Sequence, residues 1–193
     1  SVIFRNSLLS ALFAERVGPV SLQLALVIAR VARNDLPTRW PDLLDRLRSG
    51  LLVPETCISA ARALHYVTKA IASRRLPRDV RYLRQVAPLL LDLARAEMAK
   101  HASAASCHPS GASSSSSEVA LICSKIARTC VVVGVHDISS SDSARAFFAD
   151  ALSALEQLVV SCDSSPAHNS RQQASVTESM LASLAKTVVR AQG

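Results

Sequence analysis

The chain has 193 residues, 49% of them hydrophobic but only 4% aromatic, so Ala, Leu and Val supply most of its apolar surface. This composition favours closely packed helices and argues against a β-sandwich. No apolar run is long enough to span a bilayer, and no signal peptide or lipidation motif is present, so we expect no membrane partner. Because the sequence lacks an initiator Met and opens and closes within helical patterns, we expect a piece of a longer chain.

The net charge of +7 is unevenly distributed along the chain. Residues 1–100 contain 16 Lys and Arg against 8 Asp and Glu, a balance of +8, whereas residues 101–193 contain 6 against 7. A basic first half is a feature that could attract an acidic protein or RNA.

The first predicted helix covers residues 2–16 and ends at Gly18 and Pro19. The next stretch, residues 20–51, predicts a helical hairpin. Its first arm is apolar on nearly every side, with a narrow polar strip at Gln23, Arg30 and Arg33. A helix of this kind needs cover on several sides, so we expect neighbouring hairpins to stack on it, as in an α-solenoid.

The corner of this hairpin contains Pro37, Trp40, Pro41 and Asp42. Pro37 prevents the first arm from continuing, and Pro41 suits the first turn of the second arm. We expect the Trp40 side chain to be buried in the turn between the two arms. Asp42 lies near the positive end of the second helix dipole, where a carboxylate is stabilising.

Further helices are predicted over residues 54–75, 77–100, 118–135, 144–160 and 172–191, with a kink at Pro88. The run Cys130 to Val135 is rich in β-branched residues, as strands are, but its helical spacing decides for helix. Residues 101–117 read HASAASCHPSGASSSSS, a composition that predicts a disordered insertion.

A cluster of arginines lies at the end of the fourth predicted helix and the start of the fifth, and consists of Arg74, Arg75, Arg78, Arg81 and Arg84. The last three are spaced three apart and share one helical face. The cluster has two interpretations: a patch that binds an acidic protein or phosphates, or arginines that solvate a helix face and bond to helix ends.

Five cysteines show no paired short spacing, which indicates thiols of a nuclear or cytoplasmic protein. Cys123 and Cys130 share a helix face ahead of His136, so zinc is conceivable, but buried core cysteines are the favoured interpretation. His65 lies among apolar residues without a nucleophile motif or an acidic partner, and we interpret it as structural. With no phosphate loop, metal quartet or nucleophile motif, we expect neither an enzyme nor a cofactor.

Three stretches, arriving in order, resemble a known family. QLALVIARVARNDLPTRWPDLLDRL resembles the third HEAT repeat of the importin-β (karyopherin) superfamily, in which an apolar A helix leads into a Trp-Pro-acidic-Leu start of the B helix. RALHYVTKAIASRRLPRDVRYL and ALICSKIARTCVVVG resemble the following repeats of its importin-eleven branch. The basic charge of the first half departs from the family, whose members are generally acidic.

The resemblance implies an all-α fold, an α-solenoid of stacked antiparallel HEAT-like hairpins. Residues 1–100 would hold parts of the second, third and fourth repeats. Residues 101–117 would be an insertion, and residues 118–193 further HEAT-like helices ending in an incomplete repeat.

The resemblance also implies a nuclear transport receptor that shuttles between nucleus and cytoplasm. Such receptors bind Ran-GTP with the B helices of their N-terminal repeats, hold cargo proteins on the concave surface, and bind phenylalanine-glycine (FG) repeats of nucleoporins through outer A helices. Asp42 matches the acidic position after Trp40 and Pro41, and Asp45 follows it at helical spacing. We predict that both contact Ran, the alternative for Asp42 being stabilisation of the helix start.

Two other functions stay open. A static α-solenoid scaffold or adaptor would bind proteins without dependence on a GTPase. An RNA-binding helical repeat would need stacking aromatics, for which Tyr66 and Tyr82, the only tyrosines, are too few, so nucleic acid is not an expected partner.

Overall fold

The computed structural model describes residues 2–74, 77–107, 113–135 and 141–163, together with 178–179 and 182. The chain divides into two compact units, Ser1–Tyr82 (unit 1) and Leu83–Gly193 (unit 2). All regular secondary structure in the described residues is helical. The elements are α1 (Val2–Ala14), α2 (Gly18–Asp35), α3 (Leu43–Leu51), α4 (Cys57–Ala72), α5 (Pro77–Cys107), α6 (Ser113–Thr129), a π-helical turn (Cys130–Gly134) and α7 (Asp142–Asp163). The predicted all-α class is confirmed.

Unit 1 is built from stacked helical hairpins. Helix α2 runs antiparallel to α1, since Arg5 near the start of α1 pairs with Asp35 at the end of α2 at 2.8 Å. Helix α4 runs parallel to α2. The Ser21 hydroxyl donates to that of Ser59 at 3.0 Å near their beginnings, and Arg74 donates to the carbonyl of Arg33 at their ends. Helices of the same kind therefore stack side by side, as HEAT-like repeats require.

Helix α4 is the centre of unit 1, because it contacts α1, α2 and α3. Small residues on its buried side allow these neighbouring helices to approach closely. Its fully buried positions include Ala60, Ala61, Ala63, Leu64, Val67 and Thr68. The hydroxyl of Thr68 donates back to the carbonyl of Leu64 at 2.7 Å, so this polar atom is satisfied within the core.

Unit 2 contains most of α5, with α6, the π-helical turn and α7. Arg95 of α5 pairs with Asp150 of α7 at 2.7 Å, and the core is formed by apolar residues of all these elements. Its fully buried members include Leu91, Met98, Cys123, Ile126, Val131 and Phe147. Gly134 in the π-helical turn lies directly against Ala87 of α5.

Several boundaries differ from the sequence prediction. Helix α3 begins at Leu43, so Pro41 lies in the corner turn and not in the first helical turn. The run Cys130–Gly134, for which helix is predicted over strand, is helical but takes the wider π form, with the amide of Val135 bonded to the carbonyl of Cys130. Helix α5 continues through Pro88, and the kink expected there stays a prediction.

Helical structure also reaches into the Ser/Ala-rich segment. Helix α5 runs to Cys107 and α6 begins at Ser113, because alanine has the highest helix propensity and serines are favourable at a helix start. Residues 108–112 lie outside the described residues, as does nearly all of the helix predicted over 172–191. The proposed domain organisation of 1–100, 101–117 and 118–193 stays a prediction.

Candidate partner-binding surface

Helix α3 has one buried face and one outward face. Leu43, Leu44 and Leu47 are buried, whereas the side chains of Asp42 and Asp45 are 58% and 73% exposed. Asp42 occupies the cap position but makes no side-chain capping hydrogen bond. The leucines anchor α3 and thereby turn both carboxylates to the solvent.

Each of these carboxylates has an arginine neighbour on the same helix. Asp42 lies 3.8 Å from Arg46, and Asp45 lies 3.4 Å from Arg48. Such exposed pairs within one helix contribute only a few tenths of a kcal/mol, roughly 0.3–0.5. A partner that offers a better placed cation could therefore replace either arginine at small cost.

Tyr82 is a member of this surface that sequence analysis missed. Its half-buried phenol on α5 lies close enough to Asp45 to feel the carboxylate charge. Burial first, and then Asp45, raises the pKa of Tyr82 above its ordinary value. No spacing rule links residues 45 and 82, because they come near one another only in the folded unit 1.

An open groove of about 440 Å³ adjoins Asp45 in unit 1. Phe13 lies against Gly50, where an added Cβ would be only 2.8 Å from the ring, so glycine is what allows α1 to approach α3 here. The remaining walls are formed by Asp45, Arg46, Ser49, Val53 and Thr56. Val53 and its neighbour Leu52 are exposed, which gives the groove an apolar edge.

The Trp-Pro motif has an inner and an outer residue. Trp40 is only 2% exposed and lies in the turn between α2 and α3, whereas Pro41 is exposed. The amide of Trp40 donates to the carbonyl of Asp35, so the corner is closed by backbone bonding as well as by the indole. This turn fixes where α3 begins and hence where Asp42 projects.

The predicted arginine cluster separates into residues with different environments. Arg74 is largely buried and pairs with Asp79 at 3.1 Å, while Arg78 is 74% exposed. Arg81 and Arg84 are exposed on α5, and Arg75 lies outside the described residues. Arg74 thus has an internal contact, whereas Arg78, Arg81 and Arg84 on α5 face the solvent.

Cys123 and Cys130, the cysteines for which zinc is conceivable, are both fully buried. Burial raises the pKa of the Cys130 thiol from 9.0 to about 12, which disfavours the thiolate that a metal or an electrophile requires. His136, the third residue of that hypothesis, lies outside the described residues. None of the helices in the described part of the chain combines the length and apolarity needed to cross a bilayer.

Comparison with known proteins shows similarity to importins. Over 94 residues, 46% of this chain, the sequence is 36% identical to Importin beta-like protein kap113 of Schizosaccharomyces pombe, of which the match covers 9%. Over 70 residues, 35% of this chain, it is 39% identical to Importin-11 of Mus musculus and of Homo sapiens, of which the match covers 7%. No protein-family model and no solved structure matches the chain.

The chain is therefore similar to importins, and importin-11 is among these relatives. This similarity confirms the predicted resemblance to the importin-β family and its importin-eleven branch. Together with the stacked hairpins of unit 1, it confirms the predicted fold class, an α-solenoid of HEAT-like helical hairpins. The matched segment spans less than a tenth of the length of these relatives, so the activity and partners of a whole importin are treated below as proposals.

Proposed function

We propose that this chain is part of a nuclear transport receptor that binds the GTP form of Ran and carries protein cargo through the nuclear pore. The observation that supports it most is the outward placement of Asp42 and Asp45 on α3, in a chain similar to importins. Helix α3 corresponds to the B helix of the hairpin that carries the Trp-Pro-acidic motif.

The role proposed for the two carboxylates is to accept charge-assisted hydrogen bonds from basic side chains of Ran. Their exposure makes them reachable, and their present partners on α3 hold them weakly. Tyr82 and the groove beside Gly50 extend the same surface with aromatic and apolar area, the kind of residue that supplies binding energy at the centre of interfaces.

Release of cargo would follow from linkage. If Ran-GTP and cargo favour different curvatures or overlapping surfaces of one helical array, binding of either lowers the affinity for the other by the same factor. The family resemblance implies this mechanism, together with shuttling between nucleus and cytoplasm. No covalent chemistry is required of any residue.

Exposed apolar residues on helix α2 support the proposal of a nucleoporin partner. Val20, Leu26 and Val27 are 44%, 39% and 43% exposed on this helix, although each is a large apolar residue. Exposed apolar positions on an A-type helix are where the resemblance implies contact with phenylalanine-glycine repeats.

A charge-removal experiment tests the proposed Ran surface. We expect the double variant D42A/D45A to bind Ran-GTP about tenfold more weakly than the unaltered chain, since two charged contacts are lost at an interface. Asp142→Ala is the matched control: this carboxylate is also exposed and paired with an arginine three residues on, but it lies on α7.

Equal losses in the control and the double variant would show that α3 is not the contact surface. A chain that does not bind Ran-GTP at all would favour the alternative function, a static α-solenoid scaffold. Helical content of all variants should be compared by circular dichroism, because the pairs on α3 are too weak for their loss to unfold it.

A further inference from the structure

The arginines in the first half of the chain are in two different situations. Four of them donate to main-chain carbonyls at the ends of neighbouring elements: Arg5 to Arg39, Arg16 to Glu55, Arg62 to Gly18 and Arg74 to Arg33. These arginines hold helix ends together, so part of the positive charge in the first half of the chain is structural.

The outward arginines of α5 are in the other situation. Arg78, Arg81 and Arg84 are exposed and follow one another at intervals of three residues within a single helix. Helical geometry places their side chains about 5–6 Å apart, as close neighbours on one face. Among the described residues, the row forms a single ion pair, between Arg78 and Asp79 at 3.7 Å.

Asp79 does little to neutralise the row. Its carboxylate is 4% exposed and is held by Arg74 at 3.1 Å, while the Arg78 side chain remains 74% exposed. Like charges at helical neighbour positions repel one another and slightly destabilise the helix. An acidic ligand would remove that repulsion and gain three guanidinium contacts.

We propose that the row Arg78, Arg81 and Arg84 on α5 binds an acidic segment of a partner protein. Guanidinium groups match carboxylates in a planar, bidentate geometry, and arginine is enriched at protein interfaces. The row lies on one helix and needs no residue from elsewhere. Its residues differ from Asp42 and Asp45 on α3, so the proposal does not rest on the proposed contact with Ran.

An acidic protein fits this face better than RNA. Recognition of single strands combines a positive groove with aromatic side chains on which bases stack. The only Phe, Trp or Tyr residue of α5 is Tyr82, which is half-buried, and the exposed carboxylate of Asp92 follows the row on the same helix. The positive face is therefore short and lacks a stacking platform.

The test uses the complete chain and three labelled probes: a peptide of ten glutamates, one of ten glutamines and a ten-nucleotide single-stranded RNA. We expect the glutamate peptide to bind more tightly than either other probe, and its affinity to fall as salt is added. The triple variant R78Q/R81Q/R84Q should weaken its binding about tenfold, since each exposed ion pair adds only a modest factor.

The control is R30Q/R33Q/R39Q, which removes the same charge from exposed arginines on α2 and the corner after it. We expect it to change peptide affinity less than about twofold. Equal losses in the two triple variants would overturn the proposal, because net charge alone would then explain binding. It would also be overturned if the RNA bound as tightly as the glutamate peptide.

Discussion

At the scale of single residues, Arg74 joins the ends of three helices of unit 1. It follows α4, donates to the carbonyl of Arg33 near the end of α2, and pairs with Asp79 in the first turn of α5. Its side chain is 16% exposed and that of Asp79 only 4%, so both charges are largely withdrawn from water. A carboxylate in this position is stable only while its cation is present.

We therefore expect Arg74→Gln to lower the free energy of unfolding by about 2–4 kcal/mol, because it leaves the Asp79 carboxylate buried without a cation. Urea denaturation measures the change. Arg78→Gln is the control, since this arginine approaches the same carboxylate at 3.7 Å but is 74% exposed. Arg78→Gln should lower the free energy of unfolding by less than about 0.5 kcal/mol. Similar losses in both variants would contradict the assignment of Arg74 to the interior.

Cys130 gives a prediction about pH. Burial raises its pKa to about 12 from 9.0, so the unfolded chain releases the thiol proton at a lower pH than the folded chain does. The stabilisation from this group is complete below about pH 9 and is lost progressively as pH rises towards 12.

Between about pH 8 and pH 10, the unaltered chain should lose about 1 kcal/mol more stability than Cys130→Ala, in which no thiol titrates. Urea denaturation of both proteins at the two pH values gives this difference directly. Equal pH dependence would show that Cys130 ionises in the folded chain much as it does in the unfolded one.

At the scale of elements, the π-helical turn depends on one glycine. A Cβ at Gly134 would be 2.3 Å from the Cβ of Ala87, and an alanine methyl on a helix cannot move aside. We expect Gly134→Ala to destabilise unit 2 by about 1–3 kcal/mol through overpacking. Denaturant unfolding measures this loss.

Ala87→Gly supplies the matched test of that contact. It removes the opposing methyl at a cost of about 1 kcal/mol in helix propensity. If the two methyl groups clash, the double variant G134A/A87G should be more stable than the sum of the single changes predicts. Strict additivity would mean that Gly134 is required for another reason.

The existence of the helices could be predicted from the sequence more securely than their ends. The apolar positions of α2 and α4 and the prolines near their starts fix these helices locally. The start of α3 at Leu43 depends on how Trp40 is buried, and the π form of Cys130–Gly134 depends on the approach of Gly134 to α5. Both are tertiary effects that local spacing does not contain.

At the scale of the whole molecule, the sequence indicated the family, and comparison with importins supports it over less than half of the chain. The sequence predicted that Asp42 and Asp45 share a helix, since their spacing determines a helix face. The sequence did not link Tyr82, or the groove at Phe13 and Gly50, to these two carboxylates, because these residues come near Asp45 only in the folded chain.

The basic first half is also explained only by the folded chain. Counting charges suggested a broad attraction for acidic partners or RNA. In the structure, Arg5, Arg16, Arg62 and Arg74 bond to carbonyls of neighbouring elements, whereas the row on α5 faces outward. The local sequence around an arginine does not reveal which role it has, because the accepting carbonyl lies some 30 to 45 residues away in each case.

The measurement that tests the central proposal most directly is the affinity of this chain for Ran loaded with GTP and for Ran loaded with GDP, by titration at physiological salt. We expect clear preference for the GTP form. Equal affinity for the two forms, or binding to neither, would contradict a nucleotide-dependent transport function for this chain and leave a static scaffold as the better account.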